Sequence, residues 1–177
     1  MLAVCEHQRM SDFTRIAAFK MVMQKGSSEQ AGEAMYAIGK IYSSGRIVEY
    51  DGYDSQREDP DDTEAFHWYK LSAEHAFIPA FEALAECFAE GLGTTQDQVA
   101  AQQCWLRAAD SGSVDAMIAL GVRALKGIGQ QLDFKQAQDW FNKAAQNSDD
   151  APLKIAKLVS GADDATAHRI GHEWAML

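Results

Sequence analysis

Apolar positions in this chain fall into short blocks with helical spacing, and the blocks are of two kinds. The first kind reads AMYAIGKIYSSG from Ala34, AFEALAECFAEG from Ala80 and AMIALGVRALKG from Ala116. Within it, Ala34, Ala37, Ile38 and Tyr42 fall on one stripe of a 3.6-residue helix. The second kind carries bulky residues directly before small ones, as in Ala65, Trp68, Tyr69, Ser72 and Ala73, again at helical spacing. The two kinds alternate, which predicts helix-turn-helix units.

The units share one register. Trp68, Cys104 and Trp140 stand 36 residues apart, and so do Tyr69, Trp105 and Phe141. Ser72, Ala108 and Ala144 form the next column, then Ala73, Ala109 and Ala145, then the polar Glu74, Asp110 and Gln146. Among the first-kind blocks, the second and third are 36 residues apart but the first and second are 46 apart. An extra segment therefore sits between Gly45 and Asp61, the acidic stretch VEYDGYDSQREDP, which reads as a solvated inter-helix loop.

Local punctuation agrees with the apolar period. Gly45, Gly91 and Gly127 follow the first helix, where a left-handed C-cap needs glycine. Asp61, Asp97 and Asp133 open the second helix as N-caps. Glu64 and Gln136 stand three residues on, completing capping boxes in two units. The aromatic pair WFNKAAQ at Trp140 reads as packing between helices, with Ala144 and Ala145 letting the backbone approach Gly121. On that reading Trp140→Ala costs about 3 kcal/mol.

Carried along the chain, the pattern predicts one α-solenoid domain over 1–177. Its parts are an N-terminal capping helix within 1–29, repeat 1 over 30–76 with the acidic insertion 46–60, repeat 2 over 77–112 and repeat 3 over 113–148. A partial repeat and a C-terminal capping helix fill 149–177. Residues 11–25 supply the first cap; Leu153, Ile155, Ala156, Leu158 and Val159 start the partial repeat, and Ala162 to Trp174 form the last helix. A solenoid must shield its terminal apolar faces, so atypical flanking helices are expected.

These units resemble the Sel-one-like repeats, a subclass of tetratricopeptide-like helical repeats, over about residues 30–150. The resemblance is carried by Ala116, Leu120 and Gly121, then Gly127-x-Gly129, Asp133, Ala137, Trp140-Phe141 and Lys143-Ala144-Ala145. The middle unit departs with Cys104 for Trp and Ala85 for Gly, and the first with Arg46-Ile47 after Gly45, Leu71 for Lys, and its insertion. A 36-residue period also differs from the 34 residues of standard tetratricopeptide arrays. The resemblance implies an all-α, right-handed superhelical α/α solenoid whose first helices line the concave side.

Composition narrows the function. A net charge of −10 disfavours nucleic acid and suits a basic protein partner, although most acidic surfaces serve solubility. Three cysteines, Cys5, Cys87 and Cys104, make an odd number with no C-x-x-C, so a reducing, cytoplasmic setting is expected. The start MLAVCEHQRMSDF is not a secretory signal, and no apolar run is long enough to span a membrane.

Little in the chain carries chemistry. His168 and His172 share a helix face, but no nearby Cys completes a zinc site. His67 and His75 point outward on the predicted helix, and Cys5-x-His7 sits at the terminus. Cys104 occupies a packing column without an activating His or Asp, and Cys87 is its neighbour in the same unit. The acids Asp51, Asp54, Glu58, Asp59, Asp61 and Asp62 lack the spacing of a calcium loop. No catalytic residue, metal or cofactor is therefore assigned.

What remains is surface. On the first helices, the packing pattern leaves over Tyr36, Lys40 and Ser43, then Glu82, Glu86 and Ala89, then Ile118, Val122 and Leu125. This row runs from aromatic-basic through acidic to apolar, and its apolar end is either covered by the C-terminal helices or an exposed patch that marks an interaction site. It is the candidate partner-binding face of a non-enzymatic interaction module, an adaptor or scaffold for a protein or peptide. Two alternatives follow from the resemblance. One is a bacterial immunity protein that neutralises a basic toxin. The other is a hydrolase-like repeat enzyme, whose disulfide-rich relatives have paired cysteines that this chain lacks.

Overall fold

The structure, a computed structural model, describes residues 12–45, 47–50, 54–57 and 59–160. It contains eight helices and one hairpin among the described residues: α1 (Asp12–Lys25), α2 (Ser28–Ser43), β1 (Ile47–Tyr50), β2 (Asp54–Arg57), α3 (Asp62–Glu74), α4 (Ile78–Glu90), α5 (Gln98–Asp110), α6 (Val114–Lys126), α7 (Phe134–Asn147) and α8 (Ala151–Ser160). The helices alternate as the two block types predict, and the fold is all-α apart from the hairpin. The chain forms two compact units, Met1–Asp97 and Gln98–Leu177, so the division falls between the two helices of the second sequence repeat.

The acidic insertion is not the loop expected of it. Ile47–Tyr50 and Asp54–Arg57 pair antiparallel, with Ile47 opposite Arg57 and Tyr50 opposite Asp54. The segment Ile47-Val48-Glu49-Tyr50 is rich in β-branched and aromatic residues, and Asp51-Gly52 is a dipeptide that hairpin turns favour.

In the first unit, Ile16, Phe19 and Val22 of α1 are buried against Ala34, Ile38 and Ile41 of α2, with Trp68 of α3 packed at the side. Lys20 Nζ lies 5.7 Å from the Trp68 ring centre. The Trp68 Nε1 is buried and finds no hydrogen-bond partner among the described residues. In the second unit, α6 packs against α5, α7 and α8. Its Ala116, Leu120 and Ala124 are buried, as are Ala137 and Phe141 of α7.

The aromatic pair resolves into two roles. The second member is the core residue: Tyr69, Trp105 and Phe141 are all buried, Phe141 to 2% exposure. The first member, Trp68 or Trp140, is half-buried. Trp140 instead carries Lys143 Nζ 4.2 Å above its ring. The Trp140→Ala cost expected above thus belongs to Phe141, because adjacent helix positions lie about 100° apart and only one can face the partner helix. A Cβ added to Gly121 would come within 2.4 Å of Phe141 Cε1, and one added to Gly39 within 2.6 Å of Tyr69 Cε1. Each ring lies directly on bare helix backbone. Ala144 is fully buried beside it, whereas Ala145 is only half-buried.

The connections repeat with equal fidelity. Gly91 and Gly127 cap their helices in the left-handed conformation, at φ 77° and 66°. The amides of Asp61, Asp97 and Asp133 donate to the carbonyls of Tyr42, Phe88 and Ala124 at 3.0, 2.8 and 3.0 Å. Each bond ends on a carbonyl in the last turn of the preceding first helix; those of Phe88 and Ala124 are orphans of the helix end, and that of Tyr42 is shared with the Gly45 amide. This bonding also explains why the expected capping boxes are half-formed. The side chains of Asp61 and Asp133 accept from the Glu64 and Gln136 amides, but the cap amide that Glu64 or Gln136 would bind is already engaged. A full box forms instead at Ser27 and Gln30, ahead of α2.

Candidate partner-binding surfaces

The row of leftover positions divides between the two units, and each part stands by itself. In Met1–Asp97 the structure brings Tyr36 together with aromatic and acidic neighbours. Its ring centre lies 5.6 Å from that of Tyr69 and 5.4 Å from that of Phe77. Lys40 Nζ sits 5.8 Å from the Tyr36 ring centre. Ser43 Oγ hydrogen-bonds the Tyr69 hydroxyl at 3.0 Å, so Ser43 is committed to the core ring rather than to solvent. A cleft of about 500 Å³ runs past Tyr36, Lys40 and Ser43, with Asp12 and Arg15 of α1 on its other wall. Those two form an ion pair at 2.7 Å.

Glu82 and Glu86 stand four residues apart on α4, one above the other on the same face. Glu86 is exposed as a residue, yet partial desolvation by its neighbours, with Glu82 as a second contributor, pushes its carboxyl above the ordinary value. Burial and the negative field of both glutamates likewise raise the Tyr36 phenol. Tyr36, Glu82 and Glu86 thus share one electrostatic environment, which a cation would relieve. Ala89 does not join them. It is 8% exposed, and Gln96 Nε2 donates to its carbonyl at 2.7 Å from the following loop.

In Gln98–Leu177 the apolar end of the row is also altered. Ile118 is 2% exposed and belongs to the core, whereas Val122 and Leu125 are half-buried. Ala89 and Ile118 are buried because a residue free of its own helix pair is still open to burial by the next connection or helix.

The thiols do not have the chemistry of nucleophiles. Burial pushes the Cys87 thiol up to about 11 and also raises that of Cys104, which leaves both protonated at neutral pH. Both are free. Among the described residues no group of three or more His, Cys, Asp or Glu side chains could hold a metal ion. His75 does not point outward unengaged, for its Nδ1 lies 2.9 Å from Ser28 Oγ; His67 is exposed, its ring 6.0 Å from that of Trp68. Cys5, His7, His168 and His172 lie outside the described residues. No described helix is long and apolar enough to cross a membrane.

The Sel1 repeat model matches residues 32–77, 82–113 and 114–149, which together make up more than half of the chain. The chain belongs to the Sel1 repeat family. Its three matched stretches follow the register of Tyr69, Trp105 and Phe141. Among solved structures it is similar to a Sel1 repeat protein from Oxalobacter formigenes, at 22% identity and a TM-score of 0.62, covering 90% of this chain and 69% of that one. It is also similar to c5321, a protective antigen present in uropathogenic Escherichia coli strains that displays an SLR fold, at 22% identity and a TM-score of 0.66. That match covers 92% of this chain and 33% of the antigen, so the chain spans about a third of its length. At these identities the likeness establishes the fold. No curated protein matches the chain by sequence. Sel1 repeat proteins are generally protein-interaction modules and typically non-enzymatic.

Proposed function

We propose that this protein is an adaptor or scaffold that holds a basic segment of a partner protein against Tyr36, Glu82 and Glu86. The observation that carries the reading is the negative field of two glutamates, four residues apart on α4, acting on an aromatic ring that packs tilted against Tyr69 and Phe77. A lysine or arginine side chain placed there gains from both sources at once. Its charge offsets the mutual repulsion of the glutamates, and its alkyl stem or guanidinium packs on the ring. Tyr36 brings a rigid aromatic anchor of the kind that dominates binding energy at interfaces. The net charge of −10 favours approach of a basic partner from a distance. The free thiols Cys87 and Cys104 fit a reducing, cytoplasmic setting.

The test begins with affinity capture of the partner from native cell extract. The purified partner is then titrated into the wild-type protein and the Glu82→Lys/Glu86→Lys variant. Binding is expected to fall about tenfold or more, with a lower association rate, while the melting temperature holds. Unchanged affinity in the variant would rule the acidic site out.

A further inference from the structure

A second cleft, of about 520 Å³, lies wholly within Gln98–Leu177. Ile118, Ala119 and Val122 of α6 and Leu158 of α8 make its apolar walls, with Trp105 alongside. Leu158 is 58% exposed, so the cleft opens to solvent rather than enclosing a small molecule. Its charge runs against the acidic whole: Arg123, Lys154 and Lys157 line it, and its one acid, Asp115, lies 2.7 Å from Lys154 Nζ.

Arg123 is the unusual member. It is buried, with its guanidinium carbon 4.4 Å from the Trp105 ring centre. Its Nη2 donates to Gln98 Oε1 at 2.9 Å and reaches the Gln98 carbonyl at 3.4 Å. Its Nε is buried without any hydrogen-bond partner, and no carboxylate pairs with it among the described residues. A buried guanidinium without a counter-ion is costly to maintain, and a carboxylate arriving beside it in the cleft would supply the missing counter-charge, while its Nε stays enclosed.

We propose that this cleft docks a short acidic-apolar segment of a partner protein. An aliphatic side chain enters between Val122 and Leu158, and a neighbouring Asp or Glu carboxylate meets Arg123, with Lys157 at the rim. The charge and the openness of the cleft select this occupant. The site has the opposite polarity to the Glu82/Glu86 surface and does not depend on it.

The full chain would be titrated with acetyl-Glu-Leu-Leu-Glu-amide and with its neutral counterpart acetyl-Gln-Leu-Leu-Gln-amide, followed by methyl and indole NMR signals. The acidic peptide is expected to shift Val122, Leu158 and Trp105. It should bind about tenfold more tightly than the neutral one, and the advantage should shrink at high salt. Arg123→Gln should reduce the acidic peptide to the neutral peptide's affinity. Because Arg123 is buried, Leu158→Glu provides a second variant at an exposed position, which should abolish binding of the acidic peptide while leaving the melting curve in place. Glu82→Lys/Glu86→Lys should leave this binding untouched, which separates the two sites. The proposal is overturned by equal binding of both peptides, by no shift with either, by decanoate shifting the same signals more strongly than the acidic peptide, or by shifts that follow protein concentration alone and so mark a second copy.

Discussion

The helix pairs α2/α3 and α6/α7 solve one packing problem with different chemistry. In both, a glycine in the first helix receives an aromatic ring from the second: Gly39 takes Tyr69, and Gly121 takes Phe141. Around Tyr69 the contacts are partly polar. Its hydroxyl bonds Ser43 at 3.0 Å, and the fully buried Ser72 donates to the Gly32 carbonyl at 2.6 Å. Around Phe141 the same columns hold Leu125 and Ala144. The shape of the contact is therefore shared by the two pairs, and polarity is tolerated where a neighbouring group satisfies it.

The largest difference between positions is expected at the ring itself. Phe141→Ala should cost about 3–5 kcal/mol by leaving a cavity over Gly121, whereas Trp140→Ala, at a half-buried position, should cost about 1 kcal/mol. Chemical denaturation of both variants measures the difference. Equal losses would mean that the two members of the pair share the core role, contrary to their burial.

Next in size is a comparison of two turn glycines one repeat apart. Gly93 and Gly129 both have positive φ, at 65° and 73°. A Cβ on Gly93 would meet the Asp62 carbonyl oxygen at 2.0 Å, which is backbone and cannot swing aside. A Cβ on Gly129 would meet the end of the Arg123 side chain at 3.0 Å. Gly93→Ala should thus cost about 3 kcal/mol, combining left-handed strain with a clash, and Gly129→Ala closer to 1–2 kcal/mol. Thermal melts that rank the two in reverse order would show that the loop before α5 can move away from α3.

Much of this was legible in the sequence. The columns ending in Ser72, Ala108 and Ala144 marked the helix faces, and Gly91, Gly127, Asp61 and Asp133 marked the ends, because caps and close approaches admit few residue types. The hairpin was equally available in Asp51-Gly52 beside Ile47-Val48, but the acidic residues around it favoured the loop reading. The burial of Ala89 was not available, because it depends on Gln96 folding back onto α4, a contact that no periodicity within one helix encodes. For Ile118 the sequence left coverage by the C-terminal helices and exposure both open, and only the packing of α8 against α6 decides between them. The cleft at Arg123 was hidden for the same reason. A lone arginine in an apolar helix face announces nothing until Trp105 and Gln98 are seen around it.

A smaller effect separates the turns that follow the second helices. Ala76 adopts φ 58°, where its counterpart Gly112 adopts 93°. Gly112 has open space where a Cβ would stand, so its substitution isolates backbone strain. Ala76→Gly should stabilise the protein by about 1 kcal/mol, and Gly112→Ala should destabilise it by a similar amount. Melting temperatures that move in the same direction for both would contradict the shared turn geometry.

The smallest effect at neutral pH grows in alkali. Tyr69→Phe should cost about 0.5–1 kcal/mol, since Ser43 Oγ keeps its bond to the Lys40 carbonyl at 3.1 Å. Burial pushes the Tyr69 phenol from 10.0 up to about 12, against a smaller opposing contribution from the Ser43 hydrogen bond. The folded state therefore holds this proton more tightly than the unfolded chain does. The resulting stability is complete below pH 10 and is lost as pH rises towards 12. Cys87 and Tyr36 lose stability over alkaline ranges of their own in both proteins, so the informative quantity is the difference between wild type and Tyr69→Phe. That difference should be constant below pH 10 and then reverse, the variant becoming the more stable protein. Denaturant midpoints across this range measure it. A difference that stays flat through pH 12 would mean that the Tyr69 hydroxyl ionises as freely in the folded protein as in the unfolded chain, and that the polar version of the ring contact is open to water.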